Sequence, residues 1–282
     1  MDNQTKFRKI MFASLILVFV LAACAPAAAT EAVEPESGET GGEVATSAPE
    51  GGAEATKVDE SGYPVPQDGE AMGTIVIDAA SACDVATQEQ VAAAFGKEVV
   101  ETDTDDQAMG TGCEFKFDSE GDTQVQVTIY EGDAAKHYFA GLNDALAASC
   151  DAFFEKLFDF DFLLAPDSGQ DVSTLSLGDL YTTYVGNLGN CMFVQNQARP
   201  DAGDNVVSAE TIYLNWSSNV AVISNDRVVE FIYQEPIPAD AQAVFQGATD
   251  QASFYAAAQP YRDSVLVGYT DMLIALLHAV TM

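Results

Sequence analysis

Cys113-Glu-Phe-Lys-Phe117 and, just beyond it, Thr123-Gln-Val-Gln-Val-Thr-Ile-Tyr130 carry the reading of the fold. Apolar and polar side chains alternate in both runs, the period of a strand with one face in a core. Glu120-Gly121-Asp122 lies between them and has the composition of a turn, so the two runs read as an antiparallel hairpin. The pattern continues on both sides. Thr74-Ile75-Val76-Ile77 reads as a first strand, and further strand-like runs follow at Leu180–Val185, Cys191–Gln195, Thr211–Trp216, Val220–Ser224 and Val228–Tyr233. Asn225-Asp226 is the tight turn between the last two.

Helical signals are interleaved with these strands. Thr87-Gln88-Glu89-Gln90 is a capping-box pattern; Val91, Ala94 and Phe95 follow at helical spacing, and Gly96 supplies a stop. Asp133 is placed to cap a helix with Tyr138, Leu142 and Leu146 on its apolar side. Phe153, Phe154, Leu157 and Phe158 suggest a short apolar helix, and two more helices are expected near Ala239–Ala258 and Asp263–Val280. The last is apolar around most of its surface, through Val265, Leu266, Met272, Leu273, Ile274, Leu276 and Leu277. It is short for a membrane span and carries Asp271 and His278, so it reads as a core helix. Strands that are mostly adjacent and joined by short turns imply an α+β fold over residues 71–282: an antiparallel sheet with helices packed on one face.

Residues 25–70 differ from this. They are rich in Ala, Glu, Gly, Pro, Ser and Thr, hold few large apolar residues, and carry Lys57 as their one positive charge. Such a segment buries too little apolar surface to offset its ordering entropy and reads as an acidic tether. Ahead of it, Lys6, Arg8 and Lys9 precede the apolar run Ile10–Val20, which has the length of a signal-peptide core. Leu21-Ala22-Ala23-Cys24 then resembles the lipobox of bacterial lipoproteins. That resemblance implies a signal peptide over 1–23, lipid attachment at Cys24, and a membrane partner reached through that lipid. The protein is then expected to be exported and held on the extracytoplasmic side of a cell membrane or outer membrane.

The formal net charge is −33, from 44 acidic and 11 basic side chains. Loss of the first 23 residues would make it −35. A chain of this charge repels nucleic acid, which is bound through Lys and Arg on phosphates. It also gains nothing from anionic lipid headgroups through its own side chains. A small molecule or a protein remains as the possible partner.

Setting Cys24 aside leaves four cysteines, Cys83, Cys113, Cys150 and Cys191. An even number in an exported chain reads as two disulfides. Of the three pairings, Cys83–Cys113 with Cys150–Cys191 is preferred because each closes a local segment.

Few residues suit catalysis. His137 and His278 are the only histidines, and both read as structural or surface groups. G-x-S-x-G, H-E-x-x-H, P-loop and G-x-G-x-x-G patterns do not occur, so the sequence calls for no cofactor. Asp103, Asp105 and Glu114, with Gln107, fall at calcium-loop positions, but Ala108 stands where that loop wants Gly. They are weak metal candidates, better read as an acidic solvated loop, and Asp201 with Asp204 is read the same way. Asp159 and Asp161 would share one face of an extended segment. Tyr181, Tyr184, Tyr213, Trp216 and Tyr233 suit either a binding face or the edge of a core.

Cys83, the helix signature Thr87–Gly96, and Cys113 ahead of an alternating strand pair resemble a type of bacterial surface lipoprotein domain of unknown function. Leu177-Gly178-Asp179 before Tyr181 is similar to a later element of that type. Phe115 stands where an aromatic Trp or Tyr is usual, and Cys150 and Cys191 are additions. The resemblance implies the Cys83–Cys113 bond, an α+β fold and a sensor-like or ligand-binding role. The expected function is a non-enzymatic binding module. The alternatives are a carboxylate-based or metal-assisted hydrolase of envelope material and a passive structural protein.

Overall fold

The computed structural model describes residues 73–281, apart from 213, 214, 249 and 250. The signal-peptide and tether readings, Cys24 and Tyr213 lie outside the described residues.

Seven strands form one antiparallel sheet: β1 (Glu101–Thr104), β2 (Gly110–Lys116), β3 (Gln124–Glu131), β4 (Phe193–Ala198), β5 (Val206–Ile212), β6 (Asn215–Ile223) and β7 (Arg227–Pro236). Their order across the sheet is β1-β2-β3-β7-β6-β5-β4. The helices are α1 (Gln88–Phe95), α2 (Gly132–Ala148), α3 (Cys150–Leu157), α4 (Phe160–Leu164), α5 (Leu177–Leu188), α6 (Ala239–Gln246), α7 (Gln251–Tyr261) and α8 (Val267–Thr281). A π-helical turn, Arg262–Leu266, joins the last two.

The opening hairpin forms as its alternation requires. Cys113 pairs with Val127 and Phe115 with Val125, and β3 continues onto β7 with Val127 opposite Phe231. Val125, Val127, Ile129, Val229, Phe231 and Tyr233 therefore share one face, against Val91 and Phe95 of α1 and Leu273 and Leu277 of α8. The opposite face carries Tyr130, Ala209, Ala221 and Val228 beneath Phe139 and Leu142 of α2 and Leu177 and Tyr181 of α5. Helices thus cover both faces of the sheet instead of one. The reason is visible in Val220-Ala-Val-Ile223: both sets of alternating positions there are apolar, so both need a cover.

Several other expectations are corrected. Leu180–Val185 is helical, within α5, because Leu177, Tyr181, Val185 and Leu188 recur at helical spacing behind an Ser176 cap. Thr74–Ile77 joins no strand. Its Ile75 amide donates to Asn205 Oδ1 at 2.8 Å, and its carbonyl accepts from Asn205 Nδ2 at 3.0 Å. One amide side chain thereby does the work of a neighbouring strand. Glu131, not Asp133, is the N-cap of α2; Asp133 sits in its first turn. Ala239–Ala258 holds one helix, α6, that ends at Gln246 with Gly247 as its C-cap, and the start of a second, α7, from Gln251.

The capping box at Thr87 forms as read: Thr87 Oγ1 accepts from the Gln90 amide, and Gln90 Oε1 from the Thr87 amide. Gly96 ends α1 with φ of 61°, a left-handed geometry that favours glycine. The continuous helical stretch Ala252–Thr281 is 30 residues long, enough to cross a membrane by length and composition. Shortness therefore does not mark it as a core helix; Leu273, Leu276 and Leu277 within it are fully buried against the sheet.

Each face has its own disulfide. Cys83–Cys113 ties the turn before α1 to β2, and Cys150–Cys191 ties α3 to the segment before β4. Their loops of 30 and 41 residues correspond to ~3–4 kcal/mol each in the chain-entropy account.

Candidate functional site

A cleft opens between α2, α5 and the loop that joins α4 to α5. Its volume is about 330 Å³. Local chemistry fixes each wall. Ser176 Oγ caps α5 by accepting from the Asp179 amide at 3.2 Å, and the Leu177 amide donates to Asn225 O at 2.7 Å. Gly178 brings this helix end against the β6–β7 turn; a Cβ there would lie 2.6 Å from Ser224 O. On α2, Asn143 Nδ2 donates to Leu180 O at 3.0 Å and holds the two helices in register. Asp144, one residue on, accepts from Gln170 Nε2 at 2.6 Å. The loop is pinned again where Ser168 Oγ meets His137 Nδ1 at 3.0 Å, so His137 serves as a structural tie. Asp171 accepts from the amide and hydroxyl of Ser173, which hold its carboxyl below the usual range.

The resulting groove has an apolar floor from Ala140, Leu175 and Leu180 and a polar rim from Asp144, Gln170, Asp179 and Thr183. Its lining includes two carboxylates and no Lys, Arg or His.

Beneath α2 and α5 lies Glu230, 6% exposed. Tyr181 donates to its Oε1 at 2.7 Å, Asn219 Nδ2 to the same oxygen at 3.0 Å, and Tyr130 to Oε2 at 3.2 Å. Burial pushes the Glu230 carboxyl upward, and these three hydrogen bonds offset part of that. Burial and the nearby carboxylate also push Tyr130 and Tyr181 well above the ordinary phenol range. A second, small cavity of about 60 Å³ reaches Tyr130 past Asp105, Gln107 and Thr128.

The sequence-derived candidates fall elsewhere. Asp103 and Glu114 form no loop; they face each other across β1 and β2. The Lys116 ammonium is bonded to Asp103 and lies 3.4 Å from Glu101 and 3.9 Å from Glu114, so a cation already sits among these acids. Asp105 accepts from Gln107. Among the described residues, no group of three or more His, Cys, Asp or Glu side chains is arranged to hold a metal. Asp159 does not share an extended face with Asp161; its carboxylate caps α4 through the Asp161 and Phe162 amides. Asp201 is clamped by Arg199, with Nε at 3.0 Å and Nη2 at 2.7 Å. Burial alone would raise the Asp201 carboxyl, but the guanidinium holds it below the usual range. Tyr181, Trp216 and Tyr233 are buried, on the core side of the two readings.

Sequence reasoning passed over Asn143, Asp144, Gln170, Asp179 and Thr183, since their convergence depends on how α2 and α5 pack. No family model matches the chain, and no curated protein or solved structure is significantly similar to it.

Proposed function

We propose that this protein is a lipid-anchored, extracytoplasmic binding module that captures a small ligand in the groove between α2 and α5. The groove carries the reading: it is open, has an apolar floor and a polar rim, and at about 330 Å³ lies at the small end of the range of ligand sites. Two observations support the location. The lipobox-like Leu21–Cys24 follows a signal-peptide pattern, and two disulfides suit an oxidising compartment.

Two experiments test this. Labelling of the full chain with a radioactive fatty acid in a bacterium that acylates lipoproteins should mark the protein and should fail for Cys24→Ala. Labelling of that variant would refute the anchor. A thermal-shift screen of the full chain against polar metabolites should yield ligands whose effect is lost in Thr183→Trp, which fills the groove at an exposed position. Ligands insensitive to that change, or a screen with none, would refute the groove.

A further inference from the structure

The geometry points to a small aliphatic amine cation as the ligand of the α2–α5 groove, an assignment that rests on that groove being the binding site. Three observations converge. The charged lining side chains are Asp144 and Asp179, and both are anionic. An anionic ligand would meet repulsion from both, whereas an ammonium would gain charge-assisted hydrogen bonds. Leu175, Leu180 and the Cβ of Ala140 in the same lining give a surface suited to methylenes. Asp144 also stands near the carbonyl end of α2, where the helix field disfavours a carboxylate. It accepts a hydrogen bond from the Gln170 amide, which is uncharged and does not neutralise it. Asp179, in the first turn of α5, additionally suits that helix. The formal charge of −33 would draw such a cation toward the protein from a distance.

The probe is butane-1,4-diamine, titrated calorimetrically into the full-length chain in detergent, with butane-1,4-diol as its uncharged counterpart. Saturable binding of one diamine per chain is expected, with no binding of the diol. Asp144→Asn and Asp179→Asn should each weaken it by about five- to tenfold. Glu98→Gln, which removes an equal charge from an exposed position near α1, should leave it unchanged. Absence of diamine binding, or equal weakening by all three variants, would overturn the assignment and leave only diffuse attraction to an acidic surface. If the diol or another neutral ligand binds instead and is displaced by Thr183→Trp, the groove stands and the amine does not.

Discussion

Glu210 and Glu230 are buried carboxylates of one sheet, held in place by opposite means on its two faces. Under α7 and α8, Glu210 receives a charge: Arg262 Nη2 and Nε lie 3.2 and 3.3 Å from Oε2, and Thr270 donates to Oε1 at 2.8 Å. Under α2 and α5, Glu230 receives three neutral donors, from Tyr181, Asn219 and Tyr130. The first face is locked by an ion pair whose members hold each other in place. The second holds its glutamate through uncharged hydrogen-bond donors. It is also the face that builds the groove, through Leu180, which Asn143 ties to α2.

The largest effect should come from breaking the ion pair. Arg262→Met leaves Glu210 buried without its cation and should cost ~3–5 kcal/mol in urea unfolding. A loss under ~1 kcal/mol would mean that Thr270 and the charge of Arg199 sustain Glu210 without it. Next come the two staples. Cys83→Ala/Cys113→Ala and Cys150→Ala/Cys191→Ala should each cost ~3–4 kcal/mol, and hydrogen exchange should rise first on α1 in the former and on α3 in the latter. If either loss spread evenly over both faces, the faces would not be separate cooperative regions.

Removing one donor from Glu230 should be milder. Tyr181→Phe should cost ~1.5–3 kcal/mol, more than Tyr130→Phe, whose hydrogen bond is longer. The reverse ranking would assign the stronger bond to Tyr130. The next test uses pH. Burial raises the folded-state pKa of Glu230 above its ordinary 4.5. Between 4.5 and the raised value the unfolded chain has lost this proton while the folded chain keeps it. Stability due to this group therefore falls as pH rises through that window and is regained on acidification. The stability of the wild type relative to Glu230→Gln should accordingly increase as pH falls toward 4.5. A difference that does not change with pH would show that the donors fully offset burial. Smallest of all, Asp144→Asn and Asp179→Asn should change stability by no more than ~0.5 kcal/mol. A larger loss would make these carboxylates part of the fold, not of a site.

Much of the sheet was legible because its information is local. Period-two alternation at Cys113–Phe117 and Thr123–Tyr130 yields the hairpin directly, and Thr87 with Gln90 yields the start of α1. Leu180–Val185 misleads because a six-residue apolar-rich window fits both periods; Leu177 and Leu188 on either side decide for helix. Thr74–Ile77 misleads for another reason: its strand-like composition is satisfied by the Asn205 side chain, 130 residues away in sequence. The groove was invisible, since Asp144 and Asp179 belong to different helices and look like ordinary surface acids.

Composition and short-range pattern thus determined the strand periodicity, the capped α1 helix and a preference for two local disulfides. These follow from side-chain direction, backbone hydrogen bonding and loop closure, which act between near neighbours. Tertiary structure alone decided that both sheet faces are covered, that Glu210 meets Arg262 while Glu230 meets tyrosines, and that α2 and α5 leave a groove between them. Each of these depends on which distant surfaces pack together, and burial turns an ordinary glutamate into a group that must find a partner.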